Sequence, residues 1–187
     1  MTENDKRATI TTTVAQFAQE YIQSLLWQCG QIAPGADQNE PLRAALLALH
    51  RDPAEGLRHT MEGQEWLTMA LYGAGLLDGD AGYMREICQG LAEWMFARPG
   101  GFYTYDIPQV WADTPMGQLW WLAILRTEGD ELITLTEAAK LAGVSVPAIS
   151  QRILRGSLRA FTDPFAPERQ GRQKVRRSEV TAKAHQQ

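Results

Sequence analysis

The chain has 187 residues, 44% hydrophobic and 21% charged, the balance of an ordinary soluble protein with one domain or two small ones. No apolar run approaches the roughly 18–20 residues needed to span a bilayer, and Met1 to Arg7 is polar with no signal-like stretch behind it, so a cytoplasmic protein that avoids membranes is expected. The net charge of −4 is unevenly spread: residues 1–130 hold 8 Lys/Arg against 17 Asp/Glu, whereas residues 131–187 hold 10 against 5, which confines any contact with a polyanion to the C-terminal third.

Residues 1–11 read as a disordered polar lead-in. From Thr13 a helix is predicted: Val14, Phe17, Ala18, Tyr21, Ile22, Leu25 and Leu26 recur on one face, and Gly30 is a natural stop. A loop through Ala33–Asp37 follows. The next helix starts near Asn39 and carries Leu42, Ala45, Leu46 and Leu49 on one stripe. Asp52-Pro53-Ala54-Glu55 is a fresh helix start, with an N-cap, a first-position proline and a capping glutamate. That helix is expected to break near Gly63 and resume from Glu65 to Leu77. After the turn Asp78-Gly79-Asp80, a second amphipathic face is made by Tyr83, Met84, Ile87, Cys88, Leu91, Trp94 and Met95. The stretch 98–113 lacks helical period and reads as an aromatic-rich loop or short hairpin. Thr114-Pro115 opens a helix that is apolar nearly all round, as a central buried helix is. Thr127-Glu128-Gly129-Asp130 marks the expected domain boundary.

Beyond it, Thr134-Leu135-Thr136-Glu137 has the form of a capping box ahead of Ala138, Ala139, Leu141 and Ala142. Gly143 suits a turn where positive φ is cheapest, Ser145 is placed to cap a second helix ending near Arg155, and Gly156 suits a left-handed stop. Ile149 and Ile153 fall on the core stripe of that second helix. Helix, glycine turn and serine-capped helix make a helix-turn-helix pattern. The run Thr136 to Ser145 resembles the opening of MerR-type and excisionase-type winged helix-turn-helix domains. Ile153 to Leu158 is similar to the family's helix end, glycine and short return strand. Lys174 to Val180 is similar to its second wing strand and closing helix. The resemblance covers about the last quarter of the chain and implies a double-stranded DNA-binding module. Arg152 stands where excisionase-like relatives usually bury an apolar residue, and the wing loop from Thr162 to Arg172 is longer and richer in proline than is typical.

Such a module needs cations to displace condensed counterions and paired donors and acceptors to read bases. On the second helix, Pro147, Ser150, Gln151 and Arg155 lie opposite the core stripe, with Arg152 at the edge. Gln151 suits adenine and Arg152 guanine. Ser145, at the helix start, is placed for a phosphate. Arg159 follows the helix, and Arg169, Arg172, Lys174, Arg176 and Arg177 line the expected wing. All are expected to contact DNA.

Other signals are weaker. Cys29 and Cys88 lie far apart with no metal-ligand spacing and read as reduced core thiols. His50 and His59 flank Asp52 and Glu55, but those acids are better used as helix caps. Gly73-Ala74-Gly75 follows no strand, so a phosphate-cradling loop is not expected. Trp66, Trp94, Trp120 and Trp121 sit on helices and are expected in the core. Phe102, Tyr103, Tyr105 and Trp111 form the better pocket or interface candidate. The expectation is a mainly α protein, with a helical bundle over 12–128 and a small winged helix-turn-helix over 131–184. It has no catalytic constellation and no implied metal or cofactor. It acts as a sequence-specific transcription regulator that pairs as a homodimer through the N-terminal helices. Two alternatives stand beside this: an excisionase-like or architectural DNA-binding factor, and an adaptor whose winged module docks protein.

Overall fold

A computed structural model of the chain describes residues 1–33, 35–58, 60–96, 107–166 and 173–184. The fold is mainly α-helical with one small sheet, and the chain divides into two compact units, Met1–Asp78 and Gly79–Gln187.

In the first unit, α1 runs over Glu3–Ile32 and replaces the expected disordered lead-in. Its start is a reciprocal capping box. The Thr2 hydroxyl accepts from the Asp5 backbone N–H, and the Asp5 carboxylate accepts from the Thr2 N–H. Arg7 donates to the Leu76 carbonyl at 2.7 Å, and Ile10 is fully buried, so this first stretch is anchored rather than loose. A 3-10 turn at Ala36–Gln38 leads to α2 (Glu40–Arg51), capped by Asn39. The Asp52 carboxylate then caps α3 (Pro53–Arg58), as the sequence predicts. The next break falls at Thr60, not Gly63. Thr60 caps α4 (Met61–Gly73) by accepting from the Gly63 N–H, and α4 ends four residues before Leu77. Val14, Ala18 and Ile22 of α1 are buried, as are Leu49, Leu57 and Met69, while Phe17 and Tyr21 meet the Trp66 ring edge-on at 5.0 and 5.5 Å.

The second unit begins with α5 (Ala81–Phe96), followed by α6 (Gln109–Ala112) and α7 (Pro115–Thr127). Met84, Ile87, Cys88 and Leu91 of α5 are buried, but Tyr83 and Trp94 are half-exposed rather than part of the core. The buried indole of Trp120 donates to the Cys88 carbonyl at 2.8 Å, tying α7 to α5. Arg85 donates to the Thr127 carbonyl at the end of α7. Thr114 caps α7, and the helix passes α6 so closely that a Cβ on Gly117 would lie 2.1 Å from the Trp111 carbonyl. Trp111, an expected pocket or interface residue, is half-buried and packs edge-on against Phe96 and Trp120. Phe102, Tyr103 and Tyr105 lie outside the described residues.

Among the described residues six further elements complete this unit: β1 (Leu132–Thr134), α8 (Leu135–Ala142), α9 (Val146–Leu154), β2 (Ala160–Thr162), β3 (Gln173–Arg176) and α10 (Arg177–Ala184). The predicted capping box at Thr134–Glu137 is present in both directions. It holds the Glu137 carboxyl below its ordinary value, chiefly through the Thr134 backbone N–H. Gly143 closes α8 at φ +65°, the left-handed turn that glycine adopts most cheaply. The three strands run antiparallel in the order β1-β3-β2, with Val175 opposite both Ile133 and Ala160. Ile133, Ala138, Ala139, Ile149, Leu158, Val175 and Val180 form the buried cluster beneath them. Strand β1 has no counterpart in the sequence expectations, and the return strand lies at Ala160–Thr162, just beyond the Ser157-Leu158 expected for it.

The unit boundary at Asp78/Gly79 therefore differs from the expected one at 128–131. Helices α5 to α7 share a compact unit with the C-terminal elements because Trp121 of α7 packs on Phe161 of β2 with ring centres 5.3 Å apart. In addition, Asp130 is bonded to Arg176 and Ser178.

Candidate nucleic-acid interface

The α9 helix is positioned by its apolar side. Ile149 is fully buried, and Ile153 packs against the same cluster, as the spacing predicts. The remaining positions are thereby turned outward. Ser145, Pro147, Gln151 and Arg155 are exposed, and Ser150 and Arg152 are half-buried. Ser145 occupies the N-cap position, yet its side chain makes no capping bond, while the Ser150 hydroxyl donates back to the Val146 carbonyl. Gly156, at φ +70°, ends the helix, and the Arg152 carbonyl accepts from Ser157 and Leu158. The six expected α9-associated residues are thus brought together along one short helix and its start.

The cations beyond α9 are arranged differently. Lys174 pairs with Asp163 at 2.7 Å, both partners being largely buried. Arg176 donates to Asp130 at 2.9 Å and also to Glu128. Arg177 pairs with Glu131. Arg159 is half-buried, its guanidinium 4.4 Å from the centre of the Trp121 ring and bonded to Gln109. All four are expected DNA contacts, and each has an intramolecular partner, the Arg177–Glu131 pair at the surface. Arg169 and Arg172 lie outside the described residues.

The cause is the sheet. Pairing β1 with β3 sets Leu132 opposite Arg176, so the acids just ahead of β1 fall beside the basic pair where β3 ends and α10 begins. The Arg177 N–H also donates to the Glu131 carbonyl at 3.0 Å. Burial pushes the Asp130 carboxyl upward. That push is outweighed by hydrogen bonds from Ser178, Arg176 and two backbone N–H groups, which together hold it below its ordinary value. Arg176 is in turn held more firmly protonated: burial opposes its charge, but Asp130 and Glu128 more than offset this.

Arg152 and Arg155 make no ion pair among the described residues, and neither does Lys140, an exposed cation in the last turn of α8. Lys140 stands in the sequence next to the glycine turn but was not singled out as a contact. The exposed surface here also carries apolar side chains: Leu141, Val146 and Leu154, the last 86% exposed.

Among the described residues no cluster of three or more metal-ligating side chains occurs, and no helix is long and apolar enough to cross a membrane. No protein-family model matches the chain, and no curated protein or solved structure matches it either.

Proposed function

We propose that residues 131–184 act as a winged helix-turn-helix and that the protein binds double-stranded DNA through α9 as a sequence-specific regulator. The observation that carries this reading is the outer face of α9. Gln151 and Arg155 are exposed, Arg152 is half-exposed, and both arginines are free of ion pairs among the described residues. The buried Ile149 behind them makes that face a rigid presentation rather than a loose one. Gln151 reads adenine through its paired donor and acceptor, and the Ser145 hydroxyl at the helix start takes a phosphate. Lys140 joins Arg152 and Arg155 in the phosphate set, whereas Arg159, Lys174, Arg176 and Arg177 do not. One such module covers too few base pairs to be selective, so the protein acts as a two-fold pair. We place its self-association on the N-terminal unit, where Trp27, Ile32 and Leu47 are exposed.

A second reading, docking of a protein partner on the same face, is favoured by the exposed Leu154 and by the internal neutralisation of the β3 cations. Enriching bound duplexes from fragmented genomic DNA with the full-length protein separates the two. On the enriched site, Gln151→Ala should cost about 1–3 kcal/mol while changing affinity for random duplex little. If Gln151→Ala and Arg155→Ala weaken both duplexes in proportion, α9 does not read bases and the binding is architectural. If nothing is retained at low salt, protein docking takes over.

A further inference from the structure

The second unit contains a cleft that the DNA-binding reading does not use. Gln109 and Asp113 line it from α6 and its end, Gln118 and Trp121 from α7, and Arg159 and Phe161 from the segment entering β2. With Gln109 in place its enclosed space is small, about 10 Å³ or room for one water, and the rest is open to solvent, so a larger occupant must move the Gln109 side chain. The Arg159 guanidinium forms one wall, stacked 4.4 Å from the Trp121 ring centre and 5.3 Å from that of Phe161.

Three features of this wall are unusual together. Arg159 has no carboxylate on its guanidinium among the described residues. Glu179 accepts only from its backbone N–H, at 3.3 Å, and Nη2 is met by a neutral amide, Gln109 Oε1, at 3.2 Å. The Arg159 Nε–H is buried with no hydrogen-bond acceptor among the described residues. The Trp121 indole N–H is likewise buried without a partner among the described residues, so two orphan donors belong to side chains lining one cleft. Buried N–H groups of this kind are normally paired, because desolvation without a new acceptor is costly.

We propose that this cleft binds a small molecule carrying a carboxylate on a flat apolar body. The Nε and Nη2 donors of an arginine form a side-on fork that matches the two oxygens of a carboxylate. Gln109 holds the Nη2 arm as a neutral placeholder from the exposed start of the four-residue α6, and a carboxylate displaces it. The indole N–H of Trp121 supplies a further donor, and the Trp121 and Phe161 rings supply the apolar walls. Asp113 also lines the cleft, its Oδ1 accepting from Gln109 Nε2 at 2.9 Å, so the end of the ligand away from its carboxylate is neutral or donor-bearing. None of this depends on whether α9 binds DNA.

The test is a titration of the ¹⁵N-labelled full-length protein with benzoate, and with benzamide as the neutral isostere. The readouts are the Trp121 indole N–H, assigned with Trp121→Phe, and the Arg159 Nε–H. Benzoate should shift both resonances saturably, with benzamide at least about tenfold weaker because the charge-assisted fork is lost. Arg159→Lys, which keeps the charge but removes the fork, should weaken benzoate by roughly tenfold. Gln109→Ala alters an exposed residue and removes the competing acceptor, so it should tighten benzoate binding several-fold. That variant decides the matter if Arg159→Lys does not fold. The proposal is overturned by no saturable benzoate shift at tens of millimolar, by an equal response to benzamide, or by weaker binding in Gln109→Ala.

Discussion

If α9 binds DNA as proposed, the intramolecular partners of the other cations limit how many of them reach it. If Arg159, Lys174, Arg176 and Arg177 keep their intramolecular partners, at most five of the cations named above meet phosphate: Lys140, Arg152, Arg155, Arg169 and Arg172. Each neutralised phosphate contributes about −0.9 to the slope of log affinity against log salt, so five give a slope near −4.5 and a loss of about 500-fold between 50 and 200 mM. All nine would give a slope near −8 and a loss of almost 10⁵-fold over the same range. Fluorescence anisotropy on a random duplex of roughly one helical turn, which accommodates one module, measures the difference. Two variants sharpen it. Arg155→Ala should reduce the slope by about one, since no ion pair among the described residues competes for that side chain. Arg176→Ala should leave the slope unchanged. It should instead lower the stability of the fold by about 1.5–3 kcal/mol, because it strips hydrogen-bonded charge from Asp130, which is 8% exposed, and from Glu128. A slope near −8, or an Arg176→Ala effect on the slope equal to that of Arg155→Ala, would refute the claim that these pairs persist on DNA.

Other expectations concern the fold itself. Asp130 has its folded carboxyl held below the ordinary value of 3.8, so the stability it brings is complete above that value and is lost as pH falls through the folded one. Asp130→Asn should therefore be less stable at neutral pH and show a shallower acid-side loss in urea titrations; an unchanged acid limb would refute the role. Gly117→Ala places a methyl group against the Trp111 carbonyl and should destabilise the chain by about 1–3 kcal/mol in chemical denaturation, since α6 and α7 must separate. Burial pushes the Cys88 thiol up to about 12, whereas Cys29 is half-exposed. A thiol reagent at pH 8 should modify one cysteine in the folded protein and the second only after unfolding. Rapid modification of both would show that α5 opens readily.

Local signals decided much of this protein without help from tertiary structure. The caps at Asn39, Asp52, Thr114 and Thr134, the glycine stop at Gly143, and the inward stripe of Ile149 and Ile153 all follow from interactions within one or two helical turns, where sequence spacing and spatial spacing coincide. Thr2–Asp5 is equally local, but in a polar stretch with one core residue, Ile10, a capping box has no apolar stripe to announce it. What only the tertiary structure decided depends on residues far apart in the chain. The partners of Arg176 and Arg177 lie 46 to 48 positions upstream and are delivered by a three-residue strand whose composition is unremarkable. Arg159 meets Trp121 and Gln109 only because β2 lies against α6 and α7, which also moves the unit boundary to Asp78. Basic composition counts charges, but whether a charge faces solvent or an acid is a property of pairing register. For Lys174, Arg176 and Arg177, that register sets each beside an acid.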